Sequence, residues 1–457
     1  MSRLAKLLFA ALILISSFAG LSQVAVAQDG PQYAGLDKDL TGVTIRMANI
    51  GGGQYEAMYK SISMFEDKTH AKVEIVFLGD GFEIDKKLKT DYATSAVDYD
   101  VAWDHTSFMA QYKDYVEDMR QWFSDADLAH FSKAIIDAAT VDGKLLLIPR
   151  HADIAAFHYR TDIFDDAKIK DAYKAEMGKD LVVPTTLEEV DSVGRFLVKG
   201  GYVKYGYGMA GKEEALTGRF YELLFASGGQ FLNDKNEPAF NSEIGVKVAT
   251  LLRDWYKDGI IAADTPNLLW DGDAANFCNG SVAMKLEWYG WYSYFQDPKS
   301  CPTIAGKFGL TRGFLGFAGE GARPTGWAGA HAFSIPTAAK NKEAAAQLIK
   351  FLTSEAVAYD EAKLGFLPVR DDVWTRLIND ASSAANPLDK VRLETAQLQI
   401  SEDFKTPPIT ADWIPISNVL YPTIQKIILG DVEPQAGLDS AAAEARTILE
   451  QSGSIKQ

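Results

Sequence analysis

The chain has 457 residues and a formal net charge of −16 at pH 7, with 62 acidic and 46 basic side chains. An acidic excess of this size disfavours nucleic acid and anionic membranes as partners, because like charges repel. A single hydrophobic core stops growing at roughly 250–300 residues, so we expect two lobes.

The N-terminal segment has the pattern of a cleavable secretory signal. Two basic residues precede an apolar run at 7–18, and the small residues 25–27 then form a cleavage site. The apolar run is shorter than the roughly 20 residues that a membrane-spanning helix needs. We therefore expect cleavage before Gln28. Removal of residues 1–27 takes away two positive charges and leaves 430 residues with a net charge of −18.

The two cysteines bear on the compartment and on stability. No cysteine lies at the predicted cleavage site, so the sequence predicts a free periplasmic protein without a lipid anchor. An even count in an oxidising compartment predicts a disulfide between Cys278 and Cys301. It would close a loop of about 24 residues and contribute roughly 3 kcal/mol on the chain-entropy model. Two buried free thiols are the alternative, because the sequence does not give their separation.

The first part of the mature chain alternates between predicted strands and helices. Hydrophobic periodicity and turn residues predict strands at 43–48, 72–78 and 99–104, and helices at 55–68, 82–94 and from about 107. This order predicts an α/β lobe with a mostly parallel sheet. Ligands of such sheets bind at the carboxyl ends of the strands, here residues 51–55 and 103–105.

Further elements follow. A turn at Asp142 and Gly143 leads into a predicted strand at 144–148, and Thr186 is the predicted N-cap of a helix with Glu189 as its capping-box partner. Apolar residues at helical spacing within 244–255 and 345–352 predict two buried helix faces. A Gly-x-Gly-x-x-Gly match at 206–211 stands alone and lacks the later acidic residue, so we do not expect a dinucleotide site.

Several sequence blocks follow one another in a characteristic order. They are residues 142–149, 157–164, 184–189, 277–284, 326–336, 341–352, 367–370 and 428–438. The first reads Asp-Gly-Lys, an apolar run and Pro, and the second ends in Tyr-Arg-Thr-Asp-Ile-Phe. Together the blocks resemble the extracellular solute-binding proteins of carbohydrate ABC importers, of the maltodextrin-binding kind.

The resemblance implies a type II periplasmic binding protein fold. Each of its two lobes is then an α/β unit with a mixed, mostly parallel sheet flanked by helices, and hinge crossings join the lobes. The N-terminal lobe is expected at 28–150 and 311–353, and the C-terminal lobe at 154–308 and 366–457. Closure of the lobes would bury a mono- or oligosaccharide and present the loaded form to the membrane permease subunits of an ABC transporter. We expect a monomeric receptor, not an enzyme, with no cofactor.

A sugar offers hydroxyls and apolar C–H faces, so its receptor needs polar side chains beside flat aromatic rings. The N-terminal lobe offers Gln54, Tyr55, Trp103, Asp104 and His105. The first crossing, from which the family reaches its ligand, offers Arg150, His151 and Asp153. The C-terminal lobe and its neighbouring loop offer Glu287, Trp288, Trp291, Gly326 and Trp327. The resemblance adds Arg219, Asp412 and Trp413.

These residues support a specific binding hypothesis. Trp288 or Trp291, together with Trp327, would stack on a sugar ring, while Asp104 and Asp153 accept hydrogen bonds from its hydroxyls. On a regular strand Trp288 and Trp291 would lie on opposite faces, so we expect one of them to pack in the interior. Trp103 could likewise be strand core, and the charged crossing residues could be a surface cluster.

Alternative functions remain open at this stage. An exported carbohydrate-active enzyme would also need tryptophans and a carboxylate pair, which Asp104, Asp153, Asp271 and Glu287 could supply. A polyamine receptor would need several carboxylates, and the Arg150 and His151 positions argue against it. Three histidines, His105, His151 and His331, could converge, but they lack a recognisable ligand pattern and we expect no metal.

Overall fold

The computed structural model of the chain describes residues 32–51, 55, 59–383 and 387–455, without the side chains of 381–383. The predicted signal segment and Gln54 lie outside the described residues. In the described part, no helix combines the length and apolarity needed to cross a membrane.

The strands follow the predicted order at the start of the chain and then depart from it. The segment predicted as one strand at 144–148 is divided between the end of a short hairpin and the start of a long strand. The hairpin turns at Asp142 and Gly143, whose φ angles of 50° and 80° suit a tight two-residue turn. The strands are β1 Thr44–Ile50, β2 Lys72–Gly79, β3 Val101–His105, β4 Thr140–Val141, β5 Lys144–Leu145, β6 Ile148–Arg160, β7 Tyr205–Gly208, β8 Val282–Trp288, β9 Phe308–Thr311, β10 Ala328–Ser334 and β11 Leu367–Pro368.

A central mixed sheet organises the molecule, with strand order β2-β1-β3-β10-β6-β8-β7. Its outer pairs, β1 with β2 and β3 and β7 with β8, are parallel, whereas β10 runs antiparallel to both β3 and β6. The 13-residue strand β6 pairs with β10 through its first half and with β8 and β9 through its second. One strand therefore joins the two ends of the sheet.

Helices cover the sheet, and they are α1 Ile62–Thr69, α2 Gly81–Thr94, α3 Asp125–Leu128, α4 Lys133–Ala138, α5 Thr161–Phe164, α6 Ala167–Met177, α7 Leu187–Lys199, α8 Glu213–Ala226, α9 Glu243–Lys257, α10 Trp270–Cys278, α11 Tyr292–Gln296, α12 Lys342–Leu352, α13 Glu355–Lys363, α14 Asp371–Ser383, α15 Pro387–Glu402, α16 Trp413–Leu429 and α17 Pro434–Ser452. After β3, the helical segment predicted from about residue 107 is a short 3₁₀ helix, Met109–Tyr112. Another 3₁₀ turn, Tyr289–Trp291, directly follows β8.

Capping residues determine where two of the helices begin. The Asp80 carboxylate accepts hydrogen bonds from the backbone N–H groups of Phe82 and Glu83, which starts α2 directly after β2. The Thr186 hydroxyl accepts from the backbone N–H of Glu189, which confirms the predicted N-cap of α7. The Glu189 carboxylate reaches back one residue further than a standard capping box, to the N–H of Thr185.

Buried apolar side chains form two clusters. One includes Ile45, Met47 and Phe65 near the β1 end of the sheet, and the other includes Trp255 and Leu420 near α9 and α16. The predicted faces of α9 and α12 lie in these cores, since Val248, Leu252, Leu348 and Leu352 are all fully buried. In the structure Cys278 and Cys301 are joined by a disulfide.

Candidate binding site between the two cores

A cavity of about 500 Å³ lies where the two halves of the sheet meet. Both halves contribute to its wall, and aromatic rings dominate the lining. The aromatic side chains are Tyr55, Phe82, Trp103, Phe108, Trp270, Trp288, Trp291, Tyr294, Trp327 and Phe366. The carboxylates and imidazoles in the lining are Asp80, His105, Asp153, Glu214, Asp271 and His331. This volume is within the roughly 300–1,000 Å³ of typical small-molecule sites.

Sheet topology explains one wall of the cavity. The parallel strands β1, β2 and β3 end at Ile50, Gly79 and His105, so their carboxyl ends meet at the same edge of the sheet. The residues at or just after these ends, Gly51, Asp80 and His105, all line the cavity. The position of this wall agrees with the rule for ligand sites in α/β sheets.

The register of three neighbouring strands gathers the imidazoles on the cavity floor. His331 on β10 pairs with His105 on β3 and with His151 on β6, and Gly329 pairs with Asp153. The His331 and His151 rings stack with centroids 4.2 Å apart. One ligating atom from each of His105, Asp153 and His331 lies within 4.8 Å of the others. Residues from 48 to 226 positions apart thus form one polar cluster.

Asp153 carries a fixed negative charge on this floor. Its Oδ2 lies 2.7 Å from His331 Nε2. Burial would raise the pKa of Asp153, but the positive charge that the neighbouring imidazoles, chiefly His331, carry in acid and the hydrogen bond from His331 outweigh it and lower this pKa to about 2. Burial also lowers the pKa of His105, to about 3. At neutral pH the cluster therefore holds an ionised carboxylate beside a neutral His105.

Three tryptophans form an aromatic wall of the cavity. The Trp288 and Trp327 rings meet edge to face with centroids 4.9 Å apart, and Trp270 packs against both. The Arg219 guanidinium lies behind them, 5.2 to 5.4 Å from each of the three ring centroids. A Cβ on Gly218 would lie 2.0 Å from the Trp327 ring, so only glycine leaves room for it. The wall is thus held in place from inside the protein.

Several predicted site residues line this cavity, namely Tyr55, Trp103, His105, Asp153, Trp288, Trp291 and Trp327. Both Trp288 and Trp291 contribute to the lining, but Trp291 is 4% exposed and packs against Phe295, as expected for the one of the two that lies in the interior. Strand β8 ends at Trp288 and the chain turns into the 3₁₀ segment, which changes the direction of the next side chains. Strand alternation therefore does not extend to Trp291.

Other predicted residues are turned away from the cavity, and the structure corrects their proposed contact with a ligand. Asp104 is 1% exposed, because alternation along β3 points it away from the face that carries Trp103 and His105. The Arg150 Nε donates to both carboxylate oxygens of Glu361 at 3.1 Å. Arg150 therefore forms a buried ion pair, and not the surface cluster of charged residues that the sequence left open as an alternative.

The remaining predicted residues have partners inside the protein. His151 is 2% exposed beneath His331, and Arg219 contacts the tryptophan wall from behind. Glu287 pairs with Lys285 at 2.7 Å, and Asp412 accepts a hydrogen bond from Ser452.

Gly326 does not line the cavity, and a Cβ there would lie 2.1 Å from the backbone oxygen of Asp403. Trp413 Nε1 donates to Glu214 Oε1 at 2.9 Å.

The sequence did not single out several lining residues, among them Asp80, Phe82, Phe108, Glu214, Trp270, Tyr294 and Phe366. Asp80 and Phe82 follow the end of a predicted strand, so the carboxyl-end rule could have found them. Glu214 and Trp270 lie at helix starts whose approach to the cavity depends on how the helices pack. No local pattern marks those two residues.

Burial changes the acid strength of Glu214 in the cavity wall. Burial raises its pKa to about 7, against the hydrogen bond from Trp413. Because Glu214 loses its proton at a lower pH in the unfolded state than in the folded state, the free energy of unfolding should fall as the pH rises from about 4.5 to 7.

We expect Glu214→Gln, which keeps an acceptor for Trp413, to be more stable than the natural protein by up to about 3 kcal/mol at pH 8 and equal to it at pH 4. Urea unfolding at both pH values tests this, and an equal difference at both would contradict it.

Fold and cavity together define a two-lobed α/β binding protein. The chain belongs to the bacterial extracellular solute-binding protein family, whose model matches residues 60–388. A galactooligosaccharide-binding protein of Bacillus subtilis (strain 168) is 23% identical over 339 residues, covering 69% of each chain.

Solved structures confirm the predicted two-lobed fold. Maltose-bound MalE3 of T. maritima has a TM-score of 0.74 at 23% identity, covering 89% of this chain and 100% of that one. A solute-binding protein of Agrobacterium radiobacter K84 in complex with ribitol has a TM-score of 0.75 at 22% identity, covering 90% and 100%. The fold and the resemblance to solute-binding proteins are therefore established.

Proposed function

We propose that this protein is the exported receptor of an ABC importer and that it captures a mono- or oligosaccharide or a related polyol. The observation that carries the proposal is the cavity of about 500 Å³, which is lined by tryptophan rings together with an ionised Asp153 and two imidazoles. Rings of this kind cover the apolar C–H faces of a sugar, and carboxylates accept hydrogen bonds from its hydroxyls. The galactooligosaccharide, maltose and ribitol named for its relatives share this chemistry.

The rest of the proposal concerns the cellular location of the protein and the transfer of its ligand to the transporter. A leader at residues 1–27 without a cysteine at its cleavage site supports release into the periplasm as an untethered carrier. Lobes at 28–150 with 311–353 and at 154–308 with 366–457 would close over the ligand. Only the closed form would then be presented to the permease, which couples capture to transport.

Binding without turnover distinguishes this proposal from a carbohydrate-active enzyme. Of the four carboxylates that the sequence offered for catalysis, Asp153 and Asp271 line the cavity, whereas Asp104 and Glu287 are buried away from it. Release of reducing ends from maltose or a galactooligosaccharide, lost in Asp153→Asn and Asp271→Asn, would establish the enzyme instead.

A cationic ligand such as a polyamine is the second candidate. Asp80, Asp153, Glu214 and Asp271 line the cavity, and none of its described lining residues is Lys or Arg. Arg150, which seemed to oppose a cation at the sequence level, is bound to Glu361 instead. Spermidine therefore belongs in any ligand screen.

Thermal-shift screening and calorimetry test the proposed function. A panel of maltose, ribitol, D-mannitol, a galactooligosaccharide and spermidine should contain at least one polyhydroxylated compound that raises the melting temperature, because a ligand of the folded state stabilises it. Trp288→Ala should weaken that binding by roughly 10-fold or more. Trp122→Ala, which removes a half-buried tryptophan outside the cavity, is the matched control. Stabilisation by spermidine alone would overturn the carbohydrate proposal.

A further inference from the structure

The polar cluster on the cavity floor has the spacing of a metal site but the hydrogen-bond polarity of a hydroxyl site. His105, Asp153 and His331 bring three potential metal-ligating atoms within 4.8 Å of one another. A metal needs an unprotonated nitrogen on each histidine, with the proton on the other nitrogen facing an acceptor. The groups around each ring therefore decide what the cluster can bind.

Trp103 determines the protonation of His331. The Trp103 Nε1–H donates to His331 Nδ1 at 3.1 Å, and an indole nitrogen can only donate. Nδ1 must then be unprotonated, so the single proton of the neutral ring lies on Nε2. From there it is donated to Asp153 Oδ2 at 2.7 Å. A metal at Nε2 would move this proton to Nδ1, directly against the indole N–H.

A backbone group has the same effect on His105. The N–H of Ser107 donates to His105 Nδ1 at 3.1 Å, which leaves the proton of the neutral ring on Nε2. A Cβ on Gly329 would lie 2.6 Å from this Nε2, so the absence of a side chain there makes room for the imidazole edge. Gly329 is the strand partner of Asp153, which places the His105 N–H beside that carboxylate.

We propose that His105 and Asp153 bind two adjacent hydroxyls of the ligand, with the Nε2–H of His105 as donor and the Oδ1 of Asp153 as acceptor. His331 and Trp103 are positioning residues, because they orient Asp153 through its other oxygen. A hydroxyl both accepts and donates, so a vicinal diol satisfies this pair. This inference rests on the proposed function and specifies which end of a carbohydrate the floor recognises.

The first test needs no ligand. Long-range ¹H–¹⁵N NMR of the imidazoles in the full-length protein at pH 7 should show His105 and His331 as neutral rings protonated at Nε2. Titration with Zn²⁺ alone should leave these signals unchanged. Proton location at Nδ1, or stoichiometric Zn²⁺ binding that His105→Ala abolishes, would overturn the inference in favour of a metal site.

The second test uses calorimetry with ribitol, D-mannitol and maltose. For the probe that binds, His105→Leu should weaken affinity roughly 3- to 10-fold, the range for one lost hydrogen bond, and His105→Gln, which keeps an N–H donor, should restore most of it. Trp103→Phe keeps the ring plane but removes the donor, and it should weaken affinity and change the His331 signals together.

The outcomes separate the two proposals. If no carbohydrate or polyol binds, the proposed function fails whatever the NMR spectra show. If one binds and neither His105→Leu nor Trp103→Phe changes its affinity, the carbohydrate receptor stands and the diol site is wrong.

Discussion

Replacing Asp153 by asparagine is expected to weaken carbohydrate binding roughly 10- to 100-fold while the protein still folds. A hydrogen bond to a charged group contributes about 1.5–3 kcal/mol, and this carboxylate lies on the cavity floor with 14% of its side chain exposed. The amide keeps the size of the side chain but has no charge and only one accepting oxygen. Calorimetry with the best sugar from the thermal-shift panel measures the change.

The control for this prediction is a carboxylate of the same kind outside the cavity. Asp165→Asn alters an aspartate that is 77% exposed and only loosely paired with Lys170, so affinity should stay the same. Melting temperatures of both variants check that they fold. If Asp153→Asn bound the sugar as tightly as the natural protein, Asp153 would not contact the ligand.

Replacing Lys285 by methionine is expected to destabilise the protein by roughly 3–5 kcal/mol, the usual cost of leaving a buried charge without its partner. Lys285 is fully buried, with Nζ 2.6 Å from Asp273 Oδ2 and 2.7 Å from Glu287 Oε2. Methionine fills similar space but leaves two carboxylates facing each other behind the tryptophan wall. Urea unfolding at pH 7 measures the loss.

The pH dependence of the Lys285→Met variant gives this prediction a second readout. Burial raises the pKa of Glu287 above its usual value. Lys285 opposes this rise, so its removal raises the pKa of Glu287 further. The variant then loses more stability than the natural protein as the pH rises, and the defect should be larger at pH 8 than at pH 5. Lys174→Met removes a lysine that is 66% exposed and should leave the stability almost unchanged. A defect equal to that of the control would contradict the prediction.

Much of the fold could be predicted because its signals are local. Hydrophobic periodicity located the first three strands, and Thr186 marked the start of α7. The boundary near β6 was missed because a tight hairpin and the next strand form one continuous apolar run, which periodicity cannot divide. The 3₁₀ turn after β8 was missed for a similar reason, and it brings Trp291 into the cavity.

The candidate site was harder to predict because contact with a cavity depends on the side-chain face. Trp103, Asp104 and His105 are neighbours in sequence, yet Asp104 points away from the other two. Arg219 and Glu287 are polar residues close to the site, but each finds charged partners within the protein. A polar residue near a ligand and a polar residue that supports the wall look the same in sequence.

The sequence by itself determined the export signal pattern, the α/β class, the solute-binding family and the aromatic and acidic residue types that a carbohydrate site needs. These properties depend on composition, periodicity and short blocks, which need no contacts between distant parts of the chain. Tertiary structure alone decided that His105, Asp153 and His331 meet on one floor. Their meeting depends on the register of β3, β10 and β6, and a shift of one residue would turn each side chain to the opposite face.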